Sequence, residues 1–200
     1  FKPRNNISKL NISLLLKNKL IQITNLKYTD KKNIIDLSDF NFINGKINRL
    51  GKIIVKTQDP KSNKVNNDFT FSKRKKILIE GKHFDARSLL KAFNKNKKIG
   101  GNTFKKISNK VEINLEKIQT QNAGELSKFK LIGELKNGKF EKIISKGEYK
   151  KGGFLDISLK KGHNSENKFL EIYSDFSEPL LNDYSFFQGL QGGTLFFKSV

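Results

Sequence analysis

The side chains with the widest chemical reach here are two histidines, His83 and His163, and a few charged pairs. A metal centre or a general base needs partners at ligand or hydrogen-bond spacing. Neither histidine has a Glu-x-x-His or His-x-His neighbourhood, and both stand beside Lys or Gly in turn-like text. Asp85 with Arg87 could form a charged site, but Asp85 reads better as the N-cap of a short helix. Ser174-Asp175 lacks the histidine and the Gly-x-Ser-x-Gly elbow that would activate a nucleophile. The absence of Cys excludes disulfides, thiolate metal sites and thiol nucleophiles. The carboxylates are scattered, with no pair of the glycosidase kind. The expectation is a chain that is not an enzyme, with no metal and no cofactor.

The elements that carry these residues read mostly as strands. Apolar residues alternate in Leu10-x-Ile12-x-Leu14-x-Leu16, Ile21-x-Ile23, Phe40-x-Phe42, Ile53-x-Val55 and Phe69-x-Phe71. The pattern recurs in Ile77-x-Ile79, Val111-x-Ile113-x-Leu115, Phe129-x-Leu131 and Leu155-x-Ile157-x-Leu159. A period of two places alternate residues on opposite faces of a sheet. The residues between are Lys, Asn, Ser, Thr, Asp and Glu, so one face is wet, as antiparallel sheets allow. Asn44-Gly45 and Asn137-Gly138 are the residues that tight hairpin turns demand.

The chain also repeats itself. Ile77, Phe84, Leu89, Gly100-Gly101 and Phe104 match Phe169, Phe176, Leu181, Gly192-Gly193 and Phe196, each displaced by 92 positions (169 − 77). Asn44-Gly45-Lys46 matches Asn137-Gly138-Lys139, and Leu37-Ser38-x-Phe40 matches Leu126-Ser127-x-Phe129. The expected organisation is the tail of an earlier copy over 1–18, one β repeat over 19–104 and a second over 105–200. One short helix is expected in each. Ala86, Leu89, Leu90 and Phe93 fall on one helical stripe. In the second copy Asp175 and Glu178 have capping-box spacing, and Pro179 suits a first turn. The double glycines are expected to permit a positive φ or a close backbone approach.

Leu170-Glu171-Ile172-Tyr173-Ser174-Asp175 with the paired Leu180-Leu181, followed by Gly192-Gly193-Thr194-Leu195, resembles the C-terminal region of AsmA-like proteins of the YhdP type, whose relatives include TamB. Gly81-x-x-Phe84-Asp85-Ala86-Arg87-Ser88-Leu89-Leu90 resembles their Asp-Ala-Arg-x-Leu-Leu segment. The likeness is best over 77–200. Phe176-Ser177-Glu178 departs from the Asp-Ala-Gly common in that family. The resemblance implies a periplasmic protein anchored in the inner membrane by a segment outside this chain, carrying lipid between the inner and outer membranes. The chain has no Met and begins and ends in strand-like text, so it is expected to be a piece of a longer protein.

The fold expected is mainly β: a repetitive antiparallel sheet, curved into an open hydrophobic groove, with one short helix per repeat. The residues expected to line the groove are Ile21, Ile23, Phe40, Phe42, Ile53, Val55, Ile77, Ile79, Ile113, Leu115, Phe129, Leu131, Leu155, Ile157 and Leu159. Ordinary packed core is the competing reading of the same residues. The expected partner is phospholipid or another acyl-chain lipid, with envelope proteins at the groove ends and membrane contact through regions outside this chain. The rival is a structural β module that binds a partner protein through its sheet edges.

The formal charge is +21, from 40 basic and 19 acidic residues. Such an excess raises the question of nucleic acid. Only Arg4, Arg49, Arg74 and Arg87 are arginines, whereas base readers favour the arginine fork, so no specific nucleic-acid partner is expected. Attraction to anionic lipid headgroups is the functional reading of the charge. No apolar run is long enough to span a bilayer.

Overall fold

The computed structural model describes residues 8–87, 107–120, 124–162, 167–183 and 192–200. Thirteen strands form one sheet. They are β1 (Ser8–Lys17), β2 (Leu20–Asp30), β3 (Asn33–Ile43), β4 (Lys46–Arg49), β5 (Lys52–Gln58), β6 (Val65–Lys73) and β7 (Ile77–Asp85), then β8 (Asn109–Gln119), β9 (Glu125–Lys136), β10 (Lys139–Tyr149), β11 (Phe154–Lys161), β12 (Lys168–Ser174) and β13 (Leu195–Ser199). The order in the sheet follows the order in the chain, with β4 off the path against β3. The sheet is open: β1 and β13 lie at opposite ends of the order. Every pairing is antiparallel except β7 with β8, which is parallel. A parallel pair needs a crossover rather than a tight turn, and residues 86–108 supply that length.

Local chemistry explains the hairpins. Asn44-Gly45 joins β3 to β4, and Asn137-Gly138 joins β9 to β10. Both pairs have positive φ, at 52° and 69° in the first and 52° and 74° in the second. Two left-handed residues make the turn whose twist matches the flanking strands. A second coincidence lies within the strands. Asp39 and Lys128, third in the matching Leu-Ser-x-Phe segments, have φ of 60° and 49°. A non-glycine residue in that region is uncommon. Around Lys128 the β9–β10 register shifts. The extra residue keeps Leu126 and Phe129 on one face, which is what a bulge does to alternation.

One α-helix is described, α1 (Ser177–Asp183). It begins beyond Asp175, whose Oδ2 accepts from Phe154 N at 2.6 Å and whose Oδ1 accepts from Tyr173 OH at 2.7 Å. Asp175 is thus engaged with β11 and β12 instead of serving as a capping box. Ser177 donates from its N to Gly193 O at 2.9 Å and from its Oγ to Gly192 O at 2.6 Å. Those glycines have φ of 72° and 77°, so the double glycine turns back onto the start of the helix. The helix expected on Leu89, Leu90 and Phe93 lies outside the described residues, as do Gly100-Gly101 and Phe104, and Ala86 is not helical. One helix per repeat is therefore not supported.

The buried core is small and sits beside α1. Ala86, Leu115, Ile118, Leu126, Tyr149 and Leu155 form it, with Phe69, Phe84, Phe129, Phe176 and Leu180 packed against it. Phe84 meets Phe69 edge to face at 5.2 Å, and Phe176 meets Tyr149 the same way at 5.3 Å. Such pairs add about 1 kcal/mol beyond the area they bury.

Candidate functional site

Cross-strand register brings the alternating apolar residues onto one face. One row of paired positions runs Ile12, Leu26, Leu37, Ile53, Phe71, Ile79, Ile113, Leu131, Ser145, Ile157, Ile172 and Phe197, one residue from each strand of the main path. Only Ser145 interrupts it with a hydroxyl, and that hydroxyl donates to Ile157 O at 3.5 Å. At about 4.8 Å per strand spacing, the row is roughly 50 Å long. Flanking rows continue the surface: Val55 with Phe69 lies two positions away, and Ile23 with Phe40 three, across the irregularity at Asp39.

All fifteen expected groove residues fall on this face by register. Phe40, Ile77, Leu115 and Leu155 are buried, at 5%, 7%, 4% and 4% exposure. Leu115 and Leu155 belong to the core under α1, so for these two the ordinary-core reading holds. Ile21 is exposed, and Ile23, Phe42, Ile53, Val55, Ile79, Ile113, Phe129, Leu131, Ile157 and Leu159 are half-buried. Ile79, Ile113, Phe129 and Ile157 also pack against the core. Ile53, Phe71 and Leu131 do not belong to it.

Sequence reading left several residues of this face off the candidate set. Leu26 and Leu37 are out of phase with Ile23 and Phe40 unless the irregularity at Asp39 is known. Ile143 and Ile172 face the same way. Ile143 stands in an Ile-Ile doublet, where alternation cannot choose between neighbours, and Ile144 takes the other face opposite Ile132. Ile172 was open to reading from Leu170-x-Ile172.

The opposite face is ionic. Lys128 reaches Glu148 at 2.9 Å, Lys198 reaches Glu171 at 3.2 Å, and Lys76 pairs with Glu112; Lys168, at the start of β12 and in phase with Leu170 and Ile172, reaches Glu141 at 2.9 Å at the margin of the apolar face. The lysine hydrogen bonds hold Glu112, Glu141 and Glu171 below the usual carboxylate range. Exposed pairs of this kind are screened by solvent and add little to stability.

The charged cluster at the end of β7 is a clamp. A cleft of about 470 Å³ is lined by Asp59, Ser62, His83, Asp85, Arg87 and Glu125, among others. Arg87 Nε and Nη2 donate to the two oxygens of Asp85 at 2.8 and 2.6 Å, and Arg87 N donates to Asp85 Oδ1 at 3.1 Å. Arg87 is therefore a forked partner of Asp85. Its hydrogen bond is the main cause holding the Asp85 carboxyl below the usual range. Arg87 also lies 3.7 Å from Asp59. The backbone N–H groups of Ser62 and Lys61 lower the Asp59 carboxyl, with Arg87 adding to this. The guanidinium ties the loop after β5 to the end of β7. His163 lies outside the described residues. Among those described, no group of His, Asp and Glu has the arrangement of a metal site, and no helix is long and apolar enough to cross a membrane.

No family model matches the chain. No curated protein and no solved structure matches it either.

Proposed function

We propose that this chain is a stretch of an envelope lipid carrier of the AsmA-like kind, whose apolar sheet face guides acyl chains between the inner and outer membranes. The observation that carries the reading is the row from Ile12 to Phe197, apolar at every strand but one. Leaving a bilayer costs an acyl chain about 0.8 kcal/mol per CH₂ exposed to water. A carrier must replace that contact continuously, and hydrophobic contact is tolerant of chain identity because it is non-directional. An open sheet adds apolar length with each strand, and the two repeats extend the surface with Ser145 as its one polar position along the row. In this reading the matched left-handed residues Asp39 and Lys128 mark the same place in the two copies. In this reading the protein works in the periplasm and does no catalysis.

The test is organic extraction of the purified chain followed by mass spectrometry of the lipids released. Phospholipid in the extract supports the reading. A lipid-free chain that purifies with a stoichiometric protein partner would favour the rival, a structural module working through its sheet edges.

A further inference from the structure

We propose that the lipid on the apolar face is an anionic phospholipid, with its tails on the row from Ile12 to Phe197 and its phosphate headgroup at one long margin of the sheet. This rests on the acyl-chain reading and adds the class of lipid and the side where its head lies. The row divides the sheet along its length. On one side lie β4 and the C-terminal ends of β1, β3, β6, β9, β11 and β13; on the other lie those of β2, β5, β7, β8, β10 and β12, with α1. Among the described residues, the first side carries seventeen basic and five acidic residues, a net of +12 (17 − 5). The second, with α1 counted to Leu181, carries fifteen basic and twelve acidic, a net of +3 (15 − 12). The basic residues divide almost evenly, as a lysine-rich composition would leave them. The carboxylates do not. Four of the five on the first side already face a cation: Asp39 with Arg49, Glu112 with Lys76, Glu141 with Lys168 and Glu171 with Lys198.

The two margins of the apolar face also differ in packing. The second is closed: Leu115, Tyr149 and Leu155 are buried there, with Phe176 and Leu180 packed against them. On the first, Lys73, Lys161 and Lys168 continue the apolar rows, Lys73 opposite Ile77 and Lys161 opposite Lys168. Lys161 stands four residues beyond Ile157 along β11, about 13 Å. A tail held on the row therefore has a packed apolar margin to one side and cations to the other. Lysine binds phosphate as a point charge. A head with net negative charge is favoured there over a zwitterionic one, whose own ammonium offsets its phosphate.

The test is calorimetric titration of the whole chain with short-chain phosphatidylglycerol and phosphatidylcholine of equal acyl length, both below their micelle concentrations. Phosphatidylglycerol is expected to bind about tenfold more tightly at low salt, and the preference should shrink as salt rises. Glycerol phosphate, which has the head without the tails, should not compete. Lys73→Glu with Lys161→Glu should abolish the preference and leave phosphatidylcholine binding unchanged. Lys31→Glu with Lys32→Glu, the same change of charge in the exposed turn after β2 on the opposite side, should keep the preference. Equal binding of both lipids by the unaltered chain would overturn the headgroup assignment and leave the acyl-chain reading standing. Binding of neither would overturn both. Competition by glycerol phosphate would place the selectivity in free anion binding, and equal loss of preference in the two double variants would place it in overall charge. Either result would overturn the proposal.

Discussion

Tyr149 and Ser174 share a buried hydrogen bond of 2.8 Å that reaches from β10 to β12 over the strand between them. Ser174 Oγ donates its one proton to Phe176 O at 2.6 Å, so the Tyr149 hydroxyl is the donor in this pair. Ser174 is fully buried. The pair fastens the end of the sheet to the segment entering α1. Tyr149→Phe removes a donor and should cost about 1 kcal/mol in urea unfolding. Ser174→Ala removes the acceptor of the Tyr149 hydroxyl and the partner of both the Phe176 carbonyl and its N–H, and should cost more, about 2 kcal/mol. Equal, negligible costs would mean the bond is not formed in solution.

Gly81 marks where two strands come too close for a side chain. A Cβ there would stand 2.3 Å from Asp68 O and 2.5 Å from Phe69 Cα, both backbone. At Gly147 the nearest atom would be a Phe129 ring carbon at 3.2 Å. Gly81→Ala should therefore destabilise by about 2–3 kcal/mol, and Gly147→Ala by less. Thermal melts of the two variants check the order.

Acidification should weaken the protein through its depressed carboxylates. Asp85, held low chiefly by Arg87, has a folded pKa below its unfolded one. Its contribution is complete above the usual carboxylate range, near about pH 4, and fades as pH falls through the folded value. Glu112, Glu141 and Glu171 act in the same direction. Arg87→Gln should destabilise most near about pH 7 and progressively less towards about pH 3. A deficit that stays constant over that window, measured by urea unfolding, would contradict the clamp.

The strand rhythm was legible because alternation and Asn-Gly turns are local signals. Ile53, Ile79, Leu131 and Ile157 could be placed on one face without coordinates. Three features were not legible. Asp39 and Lys128 take left-handed conformations that neither residue type announces, and these change which neighbours share a face. The parallel pairing of β7 with β8 follows a connection too long for a hairpin, and local alternation does not distinguish parallel from antiparallel partners. The helix boundary moved because Asp175 found partners on β11 and β12, which capping-box spacing cannot foresee.

The fold also separates the residues that report on the face from those that hold the core. Phe129 and Ile79 pack against the buried cluster, whereas Ile53 and Leu131 are half-buried outside it. Phe129→Asp should cost about 3 kcal/mol or more by emptying and charging a packed site. Ile53→Asp and Leu131→Asp should each cost about 1 kcal/mol yet sharply reduce the lipid recovered with the protein. Recovery unchanged in both would argue against acyl contact at these positions.

The most direct measurement is photocrosslinking with a phospholipid whose acyl tail carries a photoreactive group, with adducts mapped by peptide mass spectrometry. Labelled residues should lie on the row through Leu26, Ile53, Phe71, Leu131 and Ile172, and not at Ile132 or Ile144, which are 64% and 50% exposed on the ionic face. Adducts spread evenly over both faces, or confined to Ile132 and Ile144, would contradict a lipid path along this sheet.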